Sequence, residues 1–287
     1  MRKLPNVVKS IVETSLSLFH GTFREVPSWA TSEEDFTSML SQGGEEEVDE
    51  GEMKLREASA ASLDRIARAM GGKMVWPLFF AAAAPMLAAP DWRARAAGML
   101  GLAQVTEGCR RMLAPRVRDI VTSVLPFTAD VHPRVRHAAL RACGQLLLDF
   151  QDPEGAAGGG ELGEASTAAR GGEEGGGSSA AARARGAGRV RSIMEVSGEA
   201  MLSVLVEAMG AKNAEVPRVR SMAVASLLNL TDPNFCPKDL LTSKGMVKPT
   251  LGALFDILRD VPSPKTREAA MVVVGHVSEG RMVAGWQ

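Results

Sequence analysis

Four histidines and three cysteines are the side chains most easily turned to chemistry, and their spacing keeps them apart. His132 and His137 stand five residues apart beside a helix start, a step that turns roughly 140° around a helix, so they do not share one face as metal ligands at i, i+4 do. His20 and His276 are isolated. Cys109 follows Glu107 but has no local histidine to take its proton, and it reads as a packed thiol. The sequence contains no G-x-S-x-G, P-loop, H-E-x-x-H or C-x-x-C pattern. Asn229-Leu230-Thr231 has the form of a glycosylation acceptor but reads as the end of a helix. No catalytic residue, metal site or cofactor is expected.

The chemistry that remains is electrostatic. Glu45, Glu46, Glu47, Asp49 and Glu50 crowd around Val48, with Glu33, Glu34, Asp35 and Glu52 close by in sequence. Such a run is either a solvated acidic loop, near 43–52, or an anionic surface for a Lys/Arg-rich partner, whose binding would weaken with salt.

The elements that must carry these residues are helices. Hydrophobic residues make up 45% of the 287-residue chain, enough for a sizeable core, while aromatics are 5% and tyrosine is absent, which favours helix–helix contacts over sheets. Thirty-three basic and 34 acidic residues leave a net charge of −1, without the basic excess of nucleic-acid binders. Sparse, odd-numbered cysteines argue against a disulfide framework and suit a reducing compartment. Residues 1–5 open with basic residues but have no apolar h-region, so no signal peptide is expected. The 17 uncharged residues 74–90 fall short of the ~20 a membrane span needs and contain Pro77 and Pro85. They read as a buried helix, with no membrane insertion.

A repeat organises the chain. Trp92-Arg93-Ala94-Arg95, Pro133-Arg134-Val135-Arg136, Pro217-Arg218-Val219-Arg220 and Pro264-Lys265-Thr266-Arg267 share a base at the second position and an arginine at the fourth, and an apolar helical run follows each. Proline suits a first helical turn. The spacings Arg95–Arg136 (41) and Arg220–Arg267 (47) match helical-pair HEAT units, and Arg136–Arg220 (84) exceeds one unit by an insertion. That insertion, 152–192, is rich in Gly, Ala, Ser and charge, acidic first and Arg-rich later, and is expected to be disordered. Helical repeats are expected over 1–151 and 193–287. Between the Pro–Arg helices lie second helices, with stripes Leu63, Ile66, Ala67, Met70 (closed by Gly71-Gly72), then Ile120, Val121, Val124, Leu125, then Leu251, Leu254, Phe255, Leu258. Residues 10–23 and 33–42 are expected to form an earlier pair. The fold expected is all-α, an α-α superhelix (HEAT/armadillo-type solenoid) of about five helical pairs, in which Arg95, Arg136, Arg220 and Arg267 support the stack by pairing with acids or carbonyls of adjacent repeats.

Particular stretches go beyond the generic repeat. Asp64-Arg65-Ile66-Ala67, Gly71-Gly72-Lys73, Pro90-Asp91-Trp92-Arg93, Ala97-Gly98, Glu107-Gly108-Cys109, His132-Pro133-Arg134-Val135-Arg136, Gly144-Gln145 and Asp149-Phe150 occur in order without large gaps, with weaker echoes at 228–231 and 236–237. In these the chain resembles the importin-beta superfamily of nuclear transport receptors. The resemblance implies a non-enzymatic protein, shuttling between cytoplasm and nucleus, that imports basic cargo carrying localisation signals. It implies passage through the pore on nucleoporin Phe-Gly repeats and cargo release by the GTPase Ran. Family members are several times longer, so a fragment without the N-terminal Ran-binding repeats is expected. Inner helices near 73–88, 113–128, 197–209 and 238–259 would face cargo, with Glu199, Glu207 and Asp256 as candidate contacts beside Glu45–Glu50. A helical scaffold outside transport, of the phosphatase-scaffold or tubulin-binding kind, is the alternative.

Overall fold

The computed structural model describes residues 4–25, 27–30, 50–151, 192–237, 239–241 and 245–284. Among them there are helices and turns but no strand. In chain order the helices are α1 (Leu4–Gly21), α2 (Glu50–Met70), α3 (Gly72–Leu87), α4 (Trp92–Leu113), α5 (Val117–Val124), α6 (Pro133–Phe150), α7 (Ile193–Met209), α8 (Pro217–Leu230), α9 (Val247–Asp260) and α10 (Pro264–Ala284), with a 3-10 turn at Pro27–Ala30. They form two layers. In the first, α2, α4, α6, α8 and α10 lie side by side, each packed on the next; the second contains α1 on α3, α5 on α7 and α7 on α9. This is the all-α solenoid expected from the repeat spacing.

Sequence explains where the first-layer helices begin and why they bury so much. Proline opens α6, α8 and α10, where its missing N–H breaks no helical bond. Asp91 caps α4 by accepting from the Arg93 amide at 3.0 Å, and His132 Nδ1 accepts from the Arg134 amide at 3.3 Å. Because α4 and α6 have first-layer neighbours on both sides, they are buried on more than one stripe. Val135, Ala139, Cys143, Leu146, Leu147 and Phe150 are all core residues of α6.

Small residues set the distance between helices. A methyl group on Gly108 of α4 would come within 2.3 Å of the Ala67 carbonyl carbon and 2.5 Å of the Arg68 amide on α2, backbone atoms that cannot swing aside. Gly71, at φ 72°, is the one residue between α2 and α3, and its left-handed backbone reverses the chain there.

Several boundaries differ from the expectation. The inner helix expected over 238–259 starts only at Val247, and that expected over 113–128 is α5 flanked by 3-10 turns at Ala114–Arg116 and Leu125–Ala129. Phe255 is 57% exposed, so it is no part of the α9 stripe; Ile257 is buried with Leu254 instead. The uncharged run 74–90 forms α3, which buries Val75, Phe79 and Ala83 but leaves Phe80 exposed. No described helix is long and apolar enough to cross a membrane. The helix expected over 33–42 and nearly all of the insertion lie outside the described residues. Ser192, placed within the insertion by sequence, instead caps α7 by accepting from the Glu195 amide. Helices on either side of the insertion join one core: Ser226 on α8 donates to the Leu140 carbonyl on α6 at 2.8 Å, and Asn229 to the Gly144 carbonyl.

These contacts separate two glycine substitutions. Gly108→Ala drives a methyl group into backbone and is expected to cost about 1–3 kcal/mol. Gly252→Ala, in the exposed part of α9 with nothing within 4 Å of the added carbon, is expected to gain about 0.5–1 kcal/mol. Urea unfolding of both variants checks the contrast.

Candidate functional site

The fourth-position arginines point back beneath the turns that precede their own helices. Arg95 donates from Nη1 to the carbonyls of Ala89 (3.0 Å) and Pro90 (2.8 Å), and Arg136 does the same to Asp130 (2.9 Å) and Val131 (3.1 Å). Arg220 Nε donates to the Met209 carbonyl at 2.9 Å, and Arg267 Nε to that of Val261 at 2.8 Å. These carbonyls sit at or just beyond the ends of second-layer helices or turns, where helical partners run out. Two of the arginines also reach the next repeat. Arg95 forms a two-pronged pair with Asp130, at 2.8 and 2.9 Å, and Arg220 Nη2 lies 3.8 Å from Asp260. Burial alone would raise the Asp130 carboxyl, but the bonds from Arg95 and from the His132 amide hold it below the usual range.

The second-position bases make a different array. The Arg93 guanidinium lies 4.8 Å from the Trp92 ring; Arg134 lies 5.8 Å from Trp92 and 4.8 Å from Trp29; Arg218 lies 5.2 Å from Trp29. Cations and indoles thus alternate along the edge where first-layer helices begin. His132 stacks flat on Trp92 with centroids 3.8 Å apart, and His137 meets Trp29 edge-on at 5.6 Å. Trp29 is only 3% exposed. The position-two pattern was visible in sequence, but the indole seated between Arg134 and Arg218 was not. Trp29 lies more than a hundred residues from either arginine, and its local sequence has no repeat signature.

The candidate partner-binding acids are not brought into one pocket. Glu199 and Glu207 are exposed on α7, about 12 Å apart along its axis at 1.5 Å per residue. Asp256 on α9 is paired with Arg259 at 2.8 Å. Glu45, Glu46, Glu47 and Asp49 lie outside the described residues, and of Glu50 only its place at the start of α2 is described. A recess of about 620 Å³ lies elsewhere, lined by Arg68, Lys73, Glu107, Arg110 and Arg111 where α2, α3 and α4 meet. Within it Arg68 is already paired with Glu107 at 2.9 Å, and outside it with Asp64 at 2.7 Å.

Three buried titratable groups lie in the core. Burial pushes the Cys109 and Cys143 thiols up to about 12, far from thiolate at neutral pH. The buried Asp149 carboxylate, raised by burial, accepts from Thr106 Oγ1 at 2.5 Å and Gln145 at 2.8 Å, joining α4 to α6. Among the described residues no group of three or more His, Cys, Asp or Glu side chains is placed to hold a metal.

Comparison with known proteins agrees with the resemblance read from the sequence. Importin subunit beta-3 of Saccharomyces cerevisiae is 30% identical over 105 residues, 37% of this chain and 10% of that protein. The probable importin-5 homolog of Dictyostelium discoideum is 33% identical over 60 residues, 21% of this chain and 6% of that protein. Crystal structures of Kap121p bound to Pho4p, to RanGTP and to Nup53p superpose on 96% of this chain with TM-scores of 0.66, 0.67 and 0.67, at 21%, 20% and 21% identity. The chain spans about a tenth of the length of the yeast relative and about a fifth of the solved karyopherin chains. No family model matches it. The solenoid is the karyopherin fold, and the sequence likeness is to the importin-beta karyopherins.

The histidines at the cation–indole edge make a pH test. Burial, with further repulsion from Arg141, Arg218 and Arg134, lowers His137 to about 3; burial lowers His132 to about 4. Both start from 6.5, so the unfolded chain takes up protons first, and stability falls as pH drops from about 6.5 toward 4. His137 Nδ1 is buried with no hydrogen-bond partner. His137→Phe is therefore expected to lose less stability than the parent between pH 7 and pH 5, measured as the shift in urea midpoint.

Proposed function

We propose that this chain is a segment of a nuclear transport receptor of the importin-beta kind, acting by binding and not by catalysis. The observation that carries the reading is the joint one: a karyopherin solenoid over 96% of the chain and sequence likeness to importin beta-3 within it. Cargo is a basic, Lys/Arg-rich localisation segment, taken up by the second layer. Glu199 and Glu207 on α7 are its foremost contacts, because both are exposed. Asp256, half-buried and paired with Arg259, contributes less because it is less accessible. The acid run Glu45–Glu50 offers a second anionic stretch. An exposed anionic surface of this kind speeds encounter and selects by charge more than it supplies affinity.

The Kap121p complexes with Pho4p, RanGTP and Nup53p support a set of partner classes for the whole receptor to which this segment would belong. Those partners are basic cargo, Ran in its GTP form and Phe-Gly nucleoporins, and the receptor shuttles between cytoplasm and nucleus. A solenoid suits the task because small rotations between repeats add up to a change in curvature that grips or releases cargo.

Fluorescence anisotropy of a labelled Lys/Arg-rich localisation peptide with the purified chain is the test. Binding is expected at low salt, weakening as salt rises, and Glu199→Lys with Glu207→Lys is expected to weaken it about tenfold, or ~1.4 kcal/mol. A folded chain that binds no such peptide, or binds it equally well after both charge reversals, would contradict the assignment of cargo to α7. It would move a scaffold role outside transport to the front.

A further inference from the structure

Residues 22–25 and 27–30 leave α1 and cross the edge where first-layer helices begin, touching four of them. On α2, Arg56 donates to the Thr22 carbonyl at 2.7 Å and lies 5.4 Å from the Phe23 ring. On α4, Trp92 donates from its indole nitrogen to Glu25 at 2.9 Å and meets Phe23 edge-on at 5.6 Å, while Arg93 donates to the Phe23 carbonyl. On α6, Arg134 and His137 cover Trp29, and on α8 Arg218 covers it. In a solenoid each repeat ordinarily contacts only its neighbours. Here one short segment touches both α2 and α8, which are separated by α4 and α6.

We propose that residues 22–25 and 27–30 act as a strap that fixes the rotation between four successive first-layer helices, with Trp29 as its pin, so that α2 through α8 move as one block. Any twist between α6 and α8 that changed the pitch would draw Arg134 or Arg218 away from the Trp29 ring and open an indole that is now 3% exposed. The joint between α8 and α10 lies beyond the described cation–indole contacts and is held instead by Thr266 Oγ1 donating to Ser221 Oγ at 3.0 Å and by Arg220 beside Asp260, so the strap leaves its pitch unaffected. The inference stands apart from the transport reading, since it concerns the pitch of the stack whatever the stack binds.

Pulsed electron–electron distance measurement on the full chain tests it. Spin labels go on Arg65→Cys and Glu215→Cys, exposed positions that span the strap, or on Glu215→Cys and Glu268→Cys, which lie beyond it. The background is Cys236→Ser, Cys109 and Cys143 being buried. Trp29→Leu keeps an apolar filler but removes the ring face. It is expected at least to double the width of the Arg65–Glu215 distribution and to leave the Glu215–Glu268 distribution as it was. Trp29→Phe, which restores a ring, should return the first to its narrow form. An unchanged Arg65–Glu215 width in a Trp29→Leu chain of normal helix content would overturn the proposal, as would equal broadening of both pairs. Loss of the helical signal in Trp29→Leu would also overturn it, because Trp29 would then be holding the fold and not its pitch.

Discussion

A guanidinium that satisfies the carbonyls of the turn behind it is the constraint on which this stack depends. Each joint between repeats leaves carbonyl oxygens without helical donors at the end of a second-layer helix or turn. The fourth residue of the next helix supplies the donor. Arg95 and Arg136 each bind two such carbonyls and Arg220 and Arg267 one each, and Arg95 and Arg220 extend toward an acid of the following repeat. Arginine suits this position because its planar fork can serve a carbonyl and a carboxylate at once and stays charged when buried. A lysine would offer one compact, strongly hydrated charge without the planar fork.

The same helix start places two bases two residues apart with opposite duties. The fourth-position side chain turns inward to the joint, and the second-position side chain lies along the edge. There Arg93, Arg134 and Arg218 are interleaved with Trp92 and Trp29. Aromatic faces add to what the carboxylates Glu25 and Asp91 supply at Arg93, and they help the cations tolerate partial desolvation. Bases paired with acids such as Glu25 and Asp91 line the edge at the first-layer helix starts, while Glu199 and Glu207 are exposed on the second layer. Net charge says nothing of where acids and bases sit, which is why composition excluded nucleic acid but could not locate an anionic surface.

Much of the fold was legible because a solenoid repeats a local rule. Proline followed by alternating bases marked the starts of α6, α8 and α10, and the 3.6-residue stripe after Pro133 named six core residues of α6. What the stripe could not tell was which face of a peripheral helix has a neighbour. Phe255 is as apolar as Leu254 but faces outward, while Ile257, outside the stripe, is buried. Asp130 and Asp260 carried a faint signal, an acid six or seven residues before Arg136 and Arg267. Trp29 carried none, because its partners come from helices that only tertiary packing brings to it. The acids of the candidate binding surface were readable as exposed charges on α7 and α9, but the pairing of Asp256 with Arg259 became visible only in three dimensions.

The central claim, that interior arginines couple one repeat to the next, is tested most directly by a double-mutant cycle at Arg95 and Asp130. The parent, Arg95→Gln, Asp130→Asn and the double variant would be unfolded in urea under the same conditions. The account gives a coupling free energy of at least ~1.5 kcal/mol, as close and largely buried charge pairs show. Additivity to within about 0.5 kcal/mol would contradict it. The two side chains would then be near neighbours that contribute nothing to joining their repeats.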